Sequence, residues 1–226
     1  MQGDFIMTIL AIDTSTPILK IGVYKGCLIQ ATIVQPPLTH AEQIIPAIEE
    51  TFRKAGIAPA NAGLIAVAGG PGSFTGLRIG IATAKGLSLA LGIPLVLVPT
   101  LDIYGFAWRE MGGIVVPVID ARKHRIYCAR YSHGQNMGEL MDIEPDQLLP
   151  KIDAEEEVHF IGPDADLLES ICLERPGWII HEPDAEKEVA AIAELGLRIF
   201  EEKGPADDAA RPMYLREPEI GIPLAR

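Results

Sequence analysis

The chain has 226 residues, with 19 Lys plus Arg against 31 Asp plus Glu, and a formal net charge of −12. That balance argues against a stand-alone nucleic-acid binder, whose phosphate contacts rest on Lys and Arg, while 48% hydrophobic and 22% charged residues describe a globular chain with a core. Cys27, Cys128 and Cys172 are odd in number and lack a CxxC spacing, which argues against a disulfide framework or a zinc site and predicts a reducing cytoplasm.

Met1-Gln2-Gly3-Asp4 carries no basic leader and no apolar run reaches about 18 residues, so neither secretion nor membrane spanning is expected. The apolar run Met7–Ile12 then leads into Asp13 and the polar turn Thr14-Ser15-Thr16, and a second strand is expected at Leu19–Tyr24. Lys25-Gly26 reads as a hairpin turn into Cys27–Val34. Thr39-His40-Ala41-Glu42 fits a capping box, and Ile44, Ile48 and Phe52 recur at helical spacing up to a stop at Gly56. Pro46 lies inside this helix and is expected to bend it. His40 reads as an exposed helix-start residue.

Leu64–Ala68 is a short buried strand, and the turn Gly69–Gly76 leads into a helix over Gly76–Leu91. A glycine-rich turn before a helix offers free amides and a favourable dipole to an anion. The stretch is neither a Walker A loop nor a dinucleotide fingerprint, so a phosphate cradle and a plain tight turn both stand. Gly76, Gly80, Ala84 and Ser88 place small residues on one side of the helix. An interior helix glycine costs about 1 kcal/mol relative to Ala, which predicts close approach of a backbone: the strand beneath, or a second chain. Asp13-Thr14-Ser15 admits two readings as well, a metal–phosphate ligand or an Asx turn.

Ile93–Val98 is a further strand. Ile114–Ile119 then leads into Asp120 and Ala121-Arg122-Lys123-His124, followed by Ile126–Tyr131, so strand, Asp, turn, strand occurs twice. The repeat predicts two similar halves, residues 1–111 and 112–226. Strands at Val158–Ile161 and Trp178–Ile180, helices at Ala165–Glu174 and Glu186–Glu201, and an irregular tail from Pro205 complete the second half. Arg122-Lys123-His124-Arg125 is the one basic cluster, explained by a solvated hairpin turn or by contact with RNA or an acidic partner. The five histidines form no HxxxH pair, and no nucleophile–base arrangement is readable from spacing.

Five segments in this order carry a resemblance: Leu10–Ser15, His40–Pro46, Gly70-Pro71-Gly72-Ser73-Phe74-Thr75-Gly76-Leu77-Arg78-Ile79-Gly80, Ile119–Arg122 and Tyr214–Arg216. Together the chain, from about Met7 to Arg216, resembles the TsaB family of bacterial tRNA threonylcarbamoyladenosine biosynthesis. Met1–Ile6 lies outside the match. The resemblance implies an α/β, actin-like and sugar-kinase-like fold of two ribonuclease-H-like halves, the second abbreviated. It also implies a non-catalytic subunit that pairs with TsaD, which transfers threonylcarbamoyl to tRNA adenosine, with the ATPase TsaE joining. In the catalytic paralogue an HxxxH helix holds a metal. Thr100 and Tyr104 align with those two positions here, and hydroxyls are poor ligands beside imidazole. ATP and metal are therefore expected in the partners and not in this chain, and tRNA is expected to be held mainly by the complex.

The implied partner surface, also expected to form a homodimer when the chain is alone, is Ile44, Ile48, Phe52, Gly76, Gly80, Ala84 and Ser88. Asp13, Thr14, Ser15, Gly70, Gly72 and Ser73 would be a vestigial nucleotide or phosphate loop. A competing expectation is an ATPase or small-molecule kinase using Asp13 and Gly70–Gly76. A metallopeptidase is the third, disfavoured by the missing HxxxH pair.

Overall fold

The computed structural model describes residues 6–37, 39–152, 157–173, 175–207 and 209–215. Strands β1 (Ile9–Asp13), β2 (Leu19–Tyr24) and β3 (Leu28–Val34) form an antiparallel meander. Helix α1 (His40–Ala55) follows, then β4 (Leu64–Gly70), α2 (Phe74–Leu91), β5 (Leu95–Pro99) and α3 (Thr100–Ala107). β4 and β5 add in parallel to β1, giving the sheet order β3-β2-β1-β4-β5.

The second half opens with β6 (Ile114–Arg122), β7 (Arg125–Cys128), the small pair β8 (Tyr131–Ser132) and β9 (Gln135–Asn136), and β10 (Met141–Ile143). β11 (Val158–Ile161), the one-turn α4 (Glu169–Cys172), β12 (Trp178–Ile180) and the long α5 (Ala185–Lys203) complete it. Its main sheet runs β10-β7-β6-β11-β12, with the first two pairings antiparallel and the last two parallel. This is the order and the strand sense of the first sheet. The repeat seen at two aspartates is therefore a repeat of a whole five-stranded topology. The second half is abbreviated in its helices. Where the first carries α1 and α2, the second has single 3-10 turns and α4.

Helix α1 stops where the sequence says, at Gly56, whose left-handed backbone (φ 67°) lets its N–H return to Arg53 and Phe52 carbonyls. Its start differs from the capping-box expectation. The Thr39 hydroxyl donates to the Glu42 carboxylate at 2.7 Å and caps no backbone amide. Helix α2 begins at Phe74, with Ser73 as its cap: the Ser73 hydroxyl accepts from the Gly76 N–H at 3.2 Å. The helix expected over 165–174 is broken into a 3-10 turn, Ala165–Leu168, and α4, and Glu174 lies outside the described residues.

The first sheet is covered on both faces. Helices α1 and α2 lie on one, against Leu10, Ile12, Ile65 and Val67. Helices α3 and α5 lie on the other, against Ile9, Ala11, Leu64 and Ala66. The expected boundary at 111/112 falls in the loop before β6, yet α5 does not stay with the second half; it returns to seal the first sheet. Helix α3 also touches both halves, with Ile103 and Phe106 in the first core and Leu101 and Tyr104 against Val115, Ile119 and Ile161 of the second. No helix among the described residues is long and apolar enough to cross a membrane.

Candidate functional site

The halves meet at a cleft of about 760 Å³. The duplicated topology explains it: β1 and β6 both end there, and so do the turns after β4 and β11. Each of those turns is a Gly-Pro with a left-handed glycine, Gly70-Pro71 (φ 104°) and Gly162-Pro163 (φ 102°). Each strand-end aspartate caps the amide two residues on: Asp13 takes the Ser15 N–H at 2.8 Å, and Asp120 takes the Arg122 N–H at 2.7 Å. The Gly162-Pro163 repeat was legible as a dipeptide but lacked the surrounding glycines that mark the first loop.

Of the six expected phosphate-loop residues, Ser15, Gly72 and Ser73 line the cleft. Asp13, Thr14 and Gly70 do not. Asp13 is 1% exposed and its carboxylate is fully engaged: Oδ1 takes the Ser15 N–H and hydroxyl, and Oδ2 meets Lys20 Nζ at 3.0 Å. Asp13 and Lys20 are cross-strand partners in the β1–β2 register, which brings their side chains together. Lys20 Nζ also lies 2.5 Å from Glu188 Oε2 of α5 and 5.5 Å from the Tyr104 ring centre. Burial alone would raise the Asp13 carboxyl, but Lys20 and the Ser15 hydrogen bonds outweigh it and hold the group below its usual range. Burial works against the Lys20 ammonium, and Asp13 and Glu188 hold it well above its usual value. Burial leaves Glu188 raised despite Lys20. This buried triad was missed by sequence reading: Lys20 and Glu188 sit 168 positions apart and neither lies in a motif.

The two positions aligned with metal ligands have other duties here. Thr100 is buried, and its hydroxyl accepts the Gly70 N–H at 3.1 Å. Tyr104 is buried beside Lys20. Gly70 packs against the Met213 carbonyl, and Met213 N–H donates to the Gly69 carbonyl at 2.7 Å, so the segment after α5 straps the glycine-rich turn. Phe74 stacks near Tyr214 (5.0 Å), with the Arg78 guanidinium over Phe74 and donating to the Tyr214 hydroxyl. Arg216, the end of that motif, lies outside the described residues.

His40 is not simply exposed: its Nε2 donates to the Thr16 carbonyl at 2.7 Å on the cleft wall. Asp164 faces the cleft from the second half, accepting the Asp120 N–H at 2.8 Å; burial and Asp120 raise its carboxyl. His159 and His181, scattered in sequence, meet at 2.9 Å away from the cleft.

The expected partner residues are turned inward, except Ser88, which is half-buried. Ile44, Ile48 and Phe52 are at most 5% exposed and form core with Leu10, Ile12 and Ile81. A Cβ at Gly76 would strike the Thr14 carbonyl and one at Gly80 the Thr14 hydroxyl, so the small residues serve the approach of α2 to the β1–β2 turn. Ala84 is buried in the same core, and the Ser88 hydroxyl donates to the Ile93 carbonyl at 2.6 Å. The physical reason is ordinary amphipathicity: an apolar stripe faces the nearest core first. The opposite faces of the same helices are the exposed ones. Ile45 (43%) on α1 and Leu89 (86%) on α2 are open, and Gly86 has nothing within 4 Å of where a Cβ would stand.

A sequence profile described as TsaD, tRNA N6-adenosine threonylcarbamoyltransferase, matches residues 36–194, more than half of the chain. The chain belongs to this TsaD family. Within it, the chain is similar to the tRNA threonylcarbamoyladenosine biosynthesis protein TsaB of Bacillus subtilis, 35% identical over 142 residues, 62% of this chain and 61% of that protein. The match thus spans under two thirds of that relative's length. A solved structure from Pseudomonas aeruginosa, described as an uncharacterized protein with similarity to peptidase YEAZ, is 26% identical with TM-score 0.77 and covers 93% of this chain and all of its own. The activator of 2-hydroxyisocaproyl-CoA dehydratase from Clostridium difficile shares the fold at TM-score 0.55 and 8% identity, over 87% of this chain and 96% of its own. The architecture is the actin-like, sugar-kinase-like α/β fold of this TsaD-family member.

Proposed function

We propose that this chain is a non-catalytic subunit of tRNA threonylcarbamoyladenosine biosynthesis that binds and activates TsaD, with TsaE completing the assembly. The observation that carries the reading is the state of Asp13. A strand-end carboxylate that is to orient a metal–phosphate group must face the cleft with a free oxygen. Asp13 is buried, holds Lys20 and Ser15, and does not line the cleft. The ATPase or kinase reading needs that carboxylate, and the peptidase reading needs ligands where Thr100 and Tyr104 stand.

The partner surface is the outer face of α1 and α2: Ile45, Ala82, Gly86 and Leu89. Gly86 in a helix interior lacks any intramolecular reason for its roughly 1 kcal/mol deficit relative to Ala. A partner helix that approaches closely supplies one. The same face serves for self-association when TsaD is absent.

Co-expression with TsaD from the same organism tests the reading. The chain is expected to co-purify, and modified tRNA to appear only when TsaD and TsaE are both added. Robust ATP hydrolysis or tRNA modification by the purified chain alone would overturn it. Leu89→Asp and Gly86→Leu should abolish co-purification with the fold intact; retention by both moves the interface elsewhere. Calorimetry with ATP and Mg²⁺ decides the kinase reading, which predicts tight binding that Asp13→Ala removes.

A further inference from the structure

The β6–β7 turn is built against the preferences of its backbone. Arg122 pairs with Arg125, leaving Lys123 and His124 as a two-residue loop, with φ of 55° and 58°; Arg122 is also left-handed at 64°. A two-residue turn with both central residues left-handed is the type I′ hairpin, whose preferred residues are Asn-Gly, Asp-Gly or Gly-Gly. A residue with a Cβ is strained there. Another two-residue hairpin follows the preference in its second position: β8–β9 turns through His133-Gly134. The β2–β3 turn likewise contains the left-handed Gly26. Only at β6–β7 do three consecutive residues with side chains take positive φ among the described residues.

What this turn presents instead of glycine is charge. Arg122, Lys123 and His124 are exposed, and Arg125 is partly so, in a chain of net charge −12. Arg122 is 84% exposed at its side chain and meets Asp120 at 3.0 Å; Arg125 meets Asp142 at 2.6 Å. An exposed pair of the Arg122 kind is worth little and exchanges readily for a phosphate. The acidic partners orient the two arginines along the strands, and Lys123 and His124 form the tip. Strained backbone retained at an exposed tip points to function at that tip.

We propose that the Lys123–His124 tip, flanked by Arg122, is a phosphate-gripping element that contacts the sugar–phosphate backbone of the tRNA. This rests on the tRNA-modification reading and adds to it a direct contact by this subunit. RNA is favoured over an acidic protein by the family's tRNA substrate. The element also borders the cleft, which Arg122 and Lys123 line, so a phosphate held there lies at the cleft's edge.

The test is the double variant Lys123→Asn, His124→Gly. It supplies the residues the backbone prefers and removes the charge, so stability and binding should move in opposite directions. The melting temperature is expected to rise by about 2–4 °C. Affinity for unmodified tRNA at about 50 mM salt, measured for the chain alone and with TsaD, is expected to fall about three- to ten-fold. The slope of log affinity against log salt should flatten by about 1. A higher melting temperature with unchanged tRNA affinity overturns the proposal, as does the absence of tRNA binding by the wild-type chain in both settings. If the double variant loses stability, Lys123→Glu is read in its place, and unchanged tRNA affinity there overturns the proposal. Loss of TsaD co-purification with tRNA affinity retained overturns it in favour of an acidic protein surface. Failure of co-purification in the wild type, with tip-dependent tRNA binding retained, refutes the TsaD pairing and leaves this contact standing.

Discussion

Lys20 decides what Asp13 can do. Its ammonium sits between two buried carboxylates, and removing it leaves both without a cation in a dry environment. Lys20→Met is expected to destabilise the chain by about 3–5 kcal/mol at neutral pH, read from urea unfolding. A loss under 1 kcal/mol would show that the triad is open to water. The pH dependence follows from the directions of shift. Asp13 is depressed, so its contribution is present above the ordinary carboxylate value of 3.8 and disappears as pH falls through its lower folded value. Lys20 is raised, so its contribution holds below 10.5 and is lost only as pH rises through a value well above that. Glu188 has the opposite sign to Asp13. Its folded value lies above 4.5, so ionising it lowers stability as pH rises from 4.5 through that raised value. Glu188→Gln should therefore flatten the stability profile above pH 4.5 in a urea series, and an unchanged profile would contradict the assigned shift.

Two glycines on α2 offer a second comparison at this scale. Gly76→Ala meets a backbone carbonyl, that of Thr14, whereas Gly80→Ala meets the Thr14 side chain, which can rotate where a carbonyl cannot. Both should destabilise, within the roughly 1–3 kcal/mol of overpacked sites, and Gly76→Ala by more. Equal losses in thermal unfolding would mean that Thr14 is as fixed in its side chain as in its backbone.

At the scale of elements, α1 and α2 show how sequence patterns mislead when the partner is unknown. Their apolar stripes were visible as spacings of four, and the helices are where those spacings put them. What a stripe cannot say is which surface it meets. Ile44, Ile48 and Phe52 meet the chain's own sheet, so the face left open to solvent is the one with fewer apolar residues. Gly86 is the glycine inside α2 that has open space beside it. Gly86→Ala is expected to stabilise the free chain by about 1 kcal/mol, because nothing in the monomer needs the missing Cβ. Loss of stability in chemical unfolding of the free chain would show a contact absent from the fold described here.

The strand–Asp–turn–strand repeat, by contrast, was fully legible, because β1 and β6 are continuous apolar runs and their aspartates are local Asx caps. The Lys20–Glu188 contact and the His159–His181 pair were not. Each depends on tertiary placement of residues with no local pattern, and no spacing rule reaches across a sheet to a helix that crosses back from the other half.

For the whole molecule, the duplicated sheets make the cleft and α3 and α5 tie the halves together. The strap after α5 holds the glycine-rich turn through the Ala206 N–H to the Leu95 carbonyl and Met213 to Gly69, both at 2.7 Å. Ending the chain at Gly204 should leave the sheets intact yet loosen that turn, seen as faster amide exchange at Gly69–Ser73; unchanged exchange would assign the turn's rigidity to Thr100 alone.

The return of α5 to the first sheet also sets the order of events on the ribosome. The face of β1 and β4 that carries Ile9, Ala11, Leu64 and Ala66 is covered only in part by α3 until Val189, Ile192 and Ala193 have been synthesised, some 180 residues after the first strand. The nascent chain therefore carries a part of this apolar face open until α5 is made. The first half closes only when α5, encoded after the whole second sheet, lies down across it.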